Sequence, residues 1–128
     1  MAIELDHIIL AVNERDRSVA FYAEILGFAP DGDDGPFSIL RVSPRFVIQI
    51  APWGTHGGEH LAFALTKQEF DDVFRRIVAA DTPFGDRYDG VGNMKGPGEE
   101  NGSRGMGRAI YFFDPDKHLL EIRHYEPA

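Results

Sequence analysis

The chain contains one internal repeat, and a repeated supersecondary unit constrains the possible folds more than any single predicted element does. An apolar run that begins with a histidine occurs at 7–12 and again at 60–65. An aromatic residue, Phe21 or Phe74, follows fourteen residues after each histidine. Each half then closes on an apolar run with one polar residue at its centre, namely Gln49 and Glu121. The repeat therefore predicts two copies of one structural module.

Within each half, the hydrophobic period changes from that of a strand to that of a helix and back again. Ser18 is expected to cap or open the first helix and Gly27 to stop it, while a helical stripe in the second half includes Phe70, Val73, Phe74, Ile77 and Val78. Three strands are predicted after each helix, at about 28–30, 36–42 and 45–51 and near 83–87, 108–113 and 118–124. This order predicts an α+β fold of two tandem βαβββ modules, 1–57 and 58–128, that form a curved mixed sheet, a half-barrel, with helices on its outer face.

The segment 90–107 is rich in glycine, and so much glycine is unfavourable for regular structure. We expect a mobile loop or lid there. A phosphate-cradling role is a weak alternative, because no predicted strand leads into the segment and no predicted helix follows it.

Charge and composition exclude several classes of partner. A net charge of -8 opposes binding to phosphate backbones or to anionic lipid, so neither nucleic acid nor a membrane surface is an expected partner. Since the chain has no cysteine, any metal site must use nitrogen and oxygen ligands. No secretory leader and no apolar stretch of membrane-spanning length is recognisable, and a cytoplasmic location is expected.

Four polar residues stand among apolar neighbours on four predicted strands: His7, Gln49, His60 and Glu121. Alternate side chains of a strand lie on the same face of a sheet. If the apolar neighbours pack under the helices, these four side chains lie on the opposite, concave face. Each is then either paired or a ligand, because an isolated polar group is costly to bury.

Two imidazoles and one carboxylate on strands suit Fe, Mn, Ni, Co or Zn, with coordination positions left for water or substrate. The alternative is that His7 and His60 are partly buried strand histidines and that Glu121 forms a salt bridge with Arg123 or Arg108. Spacing and periodicity leave both interpretations open.

Four segments together resemble the vicinal oxygen chelate superfamily, which includes glyoxalase I, fosfomycin-resistance enzymes, extradiol dioxygenases and bleomycin-binding proteins. They are Asp6–Val12, Ser18–Phe28, His60–Phe63 and Tyr111–Ile122. The resemblance implies paired βαβββ modules, usually in a homodimer whose sites can draw ligands from both chains. It also implies that a divalent metal is bound by His7, His60 and Glu121 and that the substrate is a small oxygenated molecule.

Within that superfamily, the sequence favours a glyoxalase-type or dioxygenase-type enzyme. Gln49 matches the position of a second glutamate in many glyoxalases, and a neutral amide cannot act as a base, so Glu121 would be both ligand and base. A fosfomycin-resistance-like enzyme is an alternative, although Ile9 and Ile39 stand where those enzymes are expected to have a threonine and a glutamate. A non-catalytic protein that binds a drug or an aromatic ligand is the other alternative.

Four further residues are candidates for roles near the site. His56 would relay a proton, or is simply an exposed loop histidine. Arg123 would hold an anionic group of the substrate, or pairs with an acidic neighbour. Tyr111 would hydrogen-bond a substrate oxygen, or packs in the core, and Trp53 would line the pocket.

Overall fold

The computed structural model describes residues 2–127 and divides the chain into two compact units, Met1–His56 and Gly57–Ala128. The elements of the first unit are β1 (His7–Ala11), α1 (Arg15–Phe21), a π-helical turn (Tyr22–Leu26), β2 (Ala29–Asp34), β3 (Phe37–Ser43) and β4 (Phe46–Ala51). Those of the second are β5 (His60–Ala64), α2 (Lys67–Ala79), β6 (Phe84–Gly85), β7 (Gly98–Gly102), β8 (Gly105–Phe113) and β9 (Leu119–His124). Within residues 2–127, no helix is long and apolar enough to cross a membrane.

Each unit contains one mixed sheet, and the predicted α+β fold of two repeated modules is confirmed. The first sheet has the order β1-β4-β3-β2, with β1 parallel to β4. The second has the order β5-β9-β8-β6, with β5 parallel to β9 and with β7 paired to β8. The second module therefore has one strand more than the predicted βαβββ pattern.

The two sheets also repeat the register of their strands. In the first, His7 pairs with Val47 and Ile9 with Gln49. In the second, His60 pairs with Leu119 and Ala62 with Glu121. Paired residues share a face of a sheet, and so do residues two apart on one strand. His7 and Gln49 thus share a face of the first sheet, and His60 and Glu121 share the equivalent face of the second.

The opposite face of each sheet forms the core of its unit, as the alternation predicts. The fully buried core residues of the strands include Leu10, Ile48, Ile50, Leu120 and Ile122. In the second unit, Phe70, Val73 and Ile77 of α2 are buried, but Val78 is 52% exposed. The predicted helical stripe lies within α2, and Val78 is exposed because the stripe is wider than the face of the helix that meets the sheet.

The first helix begins earlier than predicted. It starts at Arg15 with Glu14 at the N-cap, and Ser18 lies inside the helix with its side chain buried. The amide of Ser18 already donates to the carbonyl of Glu14 at 3.1 Å, so Ser18 neither caps nor opens the helix. Gly27 ends the helical segment with φ of 77°, as predicted for a left-handed stop.

The prediction that all of 90–107 is a loop is also wrong. Residues 98–102 form β7, which pairs with β8 from Gly105 onwards, while 91–97 remain irregular. A Cβ on Gly98 would lie 2.1 Å from the carbonyl oxygen of Asp86, and one on Gly102 would lie 2.1 Å from the hydroxyl of Tyr125. These glycines allow close packing of the β7–β8 hairpin. A high glycine content alone does not distinguish such packing from a flexible loop.

Gly57 and Gly58 provide a matched test of the packing before β5. Both have positive φ, but a Cβ on Gly57 would lie 2.5 Å from the carbonyl oxygen of Asp116, whereas one on Gly58 has open space. We expect Gly57→Ala to lower the free energy of unfolding by about 2–4 kcal/mol, since overlap adds to backbone strain. Gly58→Ala should lose only about 1–2 kcal/mol from strain. Urea denaturation measures both, and equal losses would contradict the predicted overlap.

Candidate functional site

Glu121 is the centre of a polar cluster in the second unit. Its side chain is only 5% exposed, although it carries a carboxylate. Oε1 lies 3.1 Å from Nε2 of His60, and Oε2 accepts a hydrogen bond from the guanidinium of Arg123 at 2.6 Å. A buried carboxylate needs such partners, because an unpaired charge in the interior is strongly destabilising.

Arg123 is buried beside Glu121, and contacts with other residues hold its side chain there. Its side chain is 6% exposed, it donates to the carbonyl oxygen of Glu100 at 2.7 Å, and its guanidinium lies 4.8 Å from the centre of the Tyr125 ring. Its cross-strand neighbours, Ala64 and Ala109, are small. Its Nε has no hydrogen-bond partner among the described residues. Of the two roles predicted for Arg123, the structure contains the pairing with an acidic neighbour.

Tyr111 is paired with Glu121 across β8 and β9 and is 4% exposed. Burial, followed by the negative charge of Glu121, raises the pKa of its phenol, and a hydrogen bond to Glu121 adds to the effect. The phenol therefore stays protonated at neutral pH and acts as a donor towards the carboxylate. The centre of its ring lies 6.2 Å from that of His60.

His60 and Glu121 have the spacing of two ligands of one metal ion. Two donor atoms about 2.1 Å from the same ion, at right angles, are about 3.0 Å apart. The Nε2–Oε1 distance is 3.1 Å, and the side chain of His60 is 47% exposed, so an ion can reach it. An imidazole with its proton on Nδ1 presents the Nε2 lone pair towards that point. The chemistry of this pair therefore fits a divalent metal.

The first unit presents the equivalent positions with a different chemistry. His7 places Nδ1 2.7 Å from a carboxylate oxygen of Asp6, which leaves Nε2 available when Nδ1 carries the proton. Gln49 occupies the position of Glu121, and Ile39 occupies the position of Tyr111. The first unit thus provides an imidazole and an amide, whereas the second provides an imidazole and a buried carboxylate.

The remaining histidines divide between surface and core. His56 lies exposed in the segment between β4 and β5. His118 is buried and its Nδ1 accepts from the amide of Glu59 at 3.2 Å. His124 is buried against Phe70, with the ring centres 4.9 Å apart. The prediction that His118 and His124 lie away from the Glu121 face agrees with these positions, and both are structural rather than exposed.

The residues that surround Arg123 were not predicted from the sequence. A Cβ on Gly102 would lie 2.6 Å from the central guanidinium carbon of Arg123, and one on Gly107 would lie 2.8 Å from a terminal guanidinium nitrogen. Tyr125 adds the aromatic ring over the same group. The glycines were the available signal, but the loop interpretation of 90–107 assigned them to flexibility. Within residues 2–127, no three His, Asp or Glu side chains of the chain are grouped as a metal site.

The tyrosines provide a test of the electrostatics around Glu121. The pKa of Tyr125 is lowered: burial raises it, but hydrogen bonds from the backbone of Arg104 and the side chain of Ser103 outweigh burial. Tyr125 should therefore lose its proton below the ordinary value of about 10, and Tyr111 should lose its proton above it. The stability due to Tyr111 is fully present below about pH 10 and is lost as the pH rises through its folded pKa.

An alkaline titration followed by the ultraviolet absorbance of phenolate checks this order. We expect Tyr125→Phe to remove an ionisation below the ordinary pKa of tyrosine and Tyr111→Phe to remove one above it. The opposite assignment would show that the charge of Glu121 does not act on Tyr111.

Comparison with known proteins agrees with this architecture. The family model described as Glyoxalase/Bleomycin resistance protein/Dioxygenase superfamily matches residues 4–122. Virulence protein STM3117 of Salmonella typhimurium is 28% identical over 94% of this chain and 83% of that protein. Fosfomycin resistance protein FosX of Listeria innocua is 28% identical over 92% of this chain and 86% of that protein. The solved structure of oxidase ChaP-H1 is 31% identical, covers 98% of both chains and has a TM-score of 0.79.

The match of the family model extends over nearly all of the chain, from before β1 to within β9. It includes both histidines that begin a module, as well as Glu121. The resemblance inferred from the four sequence segments is thereby confirmed. The chain belongs to the Glyoxalase/Bleomycin resistance protein/Dioxygenase superfamily.

Proposed function

We propose that the protein is a metal-dependent enzyme of glyoxalase or dioxygenase type that acts on a small oxygenated molecule. His7, His60 and Glu121 would hold Fe, Mn, Ni, Co or Zn. The observation that carries the proposal is the pair formed by His60 and the buried Glu121, with donor atoms 3.1 Å apart. A bound divalent ion would supply Lewis acidity to neighbouring oxygens of the substrate.

The residues around Glu121 support this role because they control its two oxygens separately. Arg123 holds Oε2, which directs Oε1 towards the imidazole of His60. This arrangement favours one-oxygen ligation of a metal and keeps other coordination positions open for substrate. The salt bridge with Arg123 accounts for Oε2, while Oε1 lies at a distance from His60 that suits a hydrogen bond in the metal-free protein and ligation of a shared ion in the metal-bound one.

Proton transfer in this proposal depends on Glu121 and Tyr111. Gln49 is a neutral amide and cannot accept a proton, so Glu121 is the base that the second unit offers. Tyr111 remains protonated, and its single O–H would turn from Glu121 to donate to a substrate oxygen when Glu121 binds the metal or takes the proton. His56, exposed at the surface, is the proposed relay to solvent, and Gln49 and Trp53 are the proposed contacts of the substrate; Arg123 would act on the substrate through Glu121, which it holds.

A fosfomycin-resistance-like reaction is a second candidate, and the match to FosX favours it. Ile9 and Ile39 argue against it, because both are apolar and lie beside Gln49 in one row across β1, β4 and β3. A protein that binds a drug or an aromatic ligand without turnover is a third candidate.

Turnover by a small amount of protein separates these candidates. We would assay a hemithioacetal, a catechol with oxygen, and an epoxide phosphonate with a thiol or water, each with added divalent metal. Metal-dependent turnover of the first or second, lost in Glu121→Gln but kept in the surface control Glu99→Gln, supports the main proposal. Turnover of the third supports the fosfomycin-type candidate. Stoichiometric binding without turnover of any substrate would overturn both enzyme proposals.

A homodimer, which the resemblance implies, and a cytoplasmic location are parts of the same proposal. Sedimentation equilibrium tests the first, with twice the chain mass as the expected result. Cell fractionation tests the second.

A further inference from the structure

The face of the first sheet that carries His7 and Gln49 is otherwise largely apolar. Ile9, Gln49 and Ile39 form one row across three strands, and Ile9 is 46% exposed. The equivalent row of the second unit contains Ala62, Glu121 and Tyr111. The two modules therefore share a register but differ in the side chains beside the central polar residue, which are two isoleucines in the first and an alanine and a tyrosine in the second.

An aromatic pair lies at one end of this apolar face. Phe37 is two residues from Ile39 on β3, and its ring lies 5.6 Å from that of Trp53 in an edge-to-face arrangement. Trp53 is 61% exposed. A large aromatic side chain exposed beside another aromatic ring offers a surface for a further ring, since such pairs add attraction to area burial.

The backbone that carries Trp53 is held in place, although its side chain is exposed. The backbone amides of Trp53 and Gly54 donate hydrogen bonds to carbonyls at or just after the ends of β4 and β1. The side chain of Asn13 bonds both the amide and the carbonyl of Thr55. These bonds are Trp53 to Ala51 at 2.8 Å, Gly54 to Val12 at 3.0 Å, and Asn13 with Thr55 at 2.9 and 3.1 Å. A ring on a backbone that is already held in place loses less entropy when a ligand stacks on it than a ring on a mobile loop would.

The charges of the first unit disfavour an anionic ligand. The unit contains eight acidic residues, four arginines and no lysine. Within residues 2–56, every arginine lies within hydrogen-bonding or salt-bridge distance of a carboxylate; the pairs are Arg15 with Asp16, Arg17 with Glu14, Arg41 with Asp31, and Arg45 with Glu4. A phosphonate or phosphate would therefore find no uncommitted cation here.

We propose that Phe37, Trp53 and Ile9 form an aromatic-binding wall and that the substrate is a planar aromatic molecule without a phosphonate or phosphate group. The inference rests on the proposed function, because the neighbouring oxygens of that molecule would be the ones that reach the metal. It makes the wall the element that selects the substrate, whereas His7, His60 and Glu121 supply the chemistry.

Calorimetric titration with two probes tests the wall. We expect 2,3-dihydroxynaphthalene to bind at least about 10-fold more tightly than propylphosphonate to the metal-loaded protein. Trp53→Ala and Phe37→Leu should each weaken naphthalene binding about 10-fold, while Tyr88→Ala, which removes an aromatic ring that is 64% exposed, should not. Because Trp53 is the only tryptophan, protection of its fluorescence from acrylamide reports a ring bound at this position.

Metal-free protein separates a failure of the wall from a failure of the proposed function. 2-Naphthol, which has one oxygen, should still protect Trp53 in metal-free protein if the wall binds rings. If 2-naphthol protects Trp53 but the protein binds no metal under any condition, the proposed function is overturned while the aromatic-binding wall is supported. Tighter binding of propylphosphonate, or unchanged naphthalene binding in both variants, would overturn the wall. A weaker homodimer in Trp53→Ala without any loss of ring binding would also overturn it, since the face would then be an interface between copies.

Discussion

Replacement of Arg123 by methionine is expected to lower the free energy of unfolding by about 3–5 kcal/mol at neutral pH. The substitution keeps an apolar stem but removes the cation, and Glu121 then remains buried with a charge and without its main partner. The side chains of the two residues are 6% and 5% exposed, so water cannot replace the lost bond. Loss of the contact between the guanidinium and the ring of Tyr125 adds to the effect. Urea denaturation at constant pH measures the loss.

Two further variants show whether the loss comes from a buried charge. Arg108 lies 3.8 Å from Glu99 and its side chain is 36% exposed, so Arg108→Met should cost less than about 1 kcal/mol. The double variant of Arg123→Met with Glu121→Gln should recover part of the stability, because no unpaired charge is left in the interior. A loss below about 1 kcal/mol for Arg123→Met, or no recovery in the double variant, would contradict the predicted role.

A divalent metal is expected to stabilise the folded protein by about 4 kcal/mol when its free concentration is a thousand times its dissociation constant. The ion binds the folded chain through groups that the unfolded chain does not hold together. His60→Ala should lose most of this stabilisation. Without metal, the same variant should lose only about 1 kcal/mol, the value of the hydrogen bond between His60 and Glu121, because Arg123 still pairs with that carboxylate. Thermal unfolding across a series of metal concentrations measures both effects.

His56→Ala is the matched control for that series, since His56 is also an exposed histidine but is not a proposed ligand. It should retain the full metal-dependent rise in unfolding temperature. Equal stabilisation of the native protein, His56→Ala and His60→Ala would show that the ion acts elsewhere on this acidic chain.

The fold was predictable because each module buries one face of its sheet. Alternation in strands such as Val47–Ile50 and Leu119–Ile122 separates polar from apolar side chains, and the repeat assigns both modules the same order of elements. The shared face of His60 and Glu121 follows from that alternation and the paired register.

The parts that were not predictable depend on contacts between segments distant in the chain. From composition, the glycines of β7 indicate a loop. In the fold, the absence of a side chain at Gly102 leaves the space that Arg123 and Tyr125 occupy. The hydrogen bond from Arg123 to the carbonyl of Glu100 is equally long-range. Periodicity places Arg123 on the face of Glu121, but it does not decide between a substrate contact and a buried ion pair.

Metal content is the most direct test of the central claim. The protein would be purified without oxygen or chelators and examined by elemental analysis alongside His7→Ala and Glu121→Gln. The proposed function predicts about one divalent ion per chain in the native protein and its loss in both variants. Iron would favour a dioxygenase, and nickel or zinc an isomerase or lyase. Absence of metal from the native protein and both variants, even after reconstitution, would contradict the proposal that the protein is a metal-dependent enzyme and would favour a ligand-binding protein.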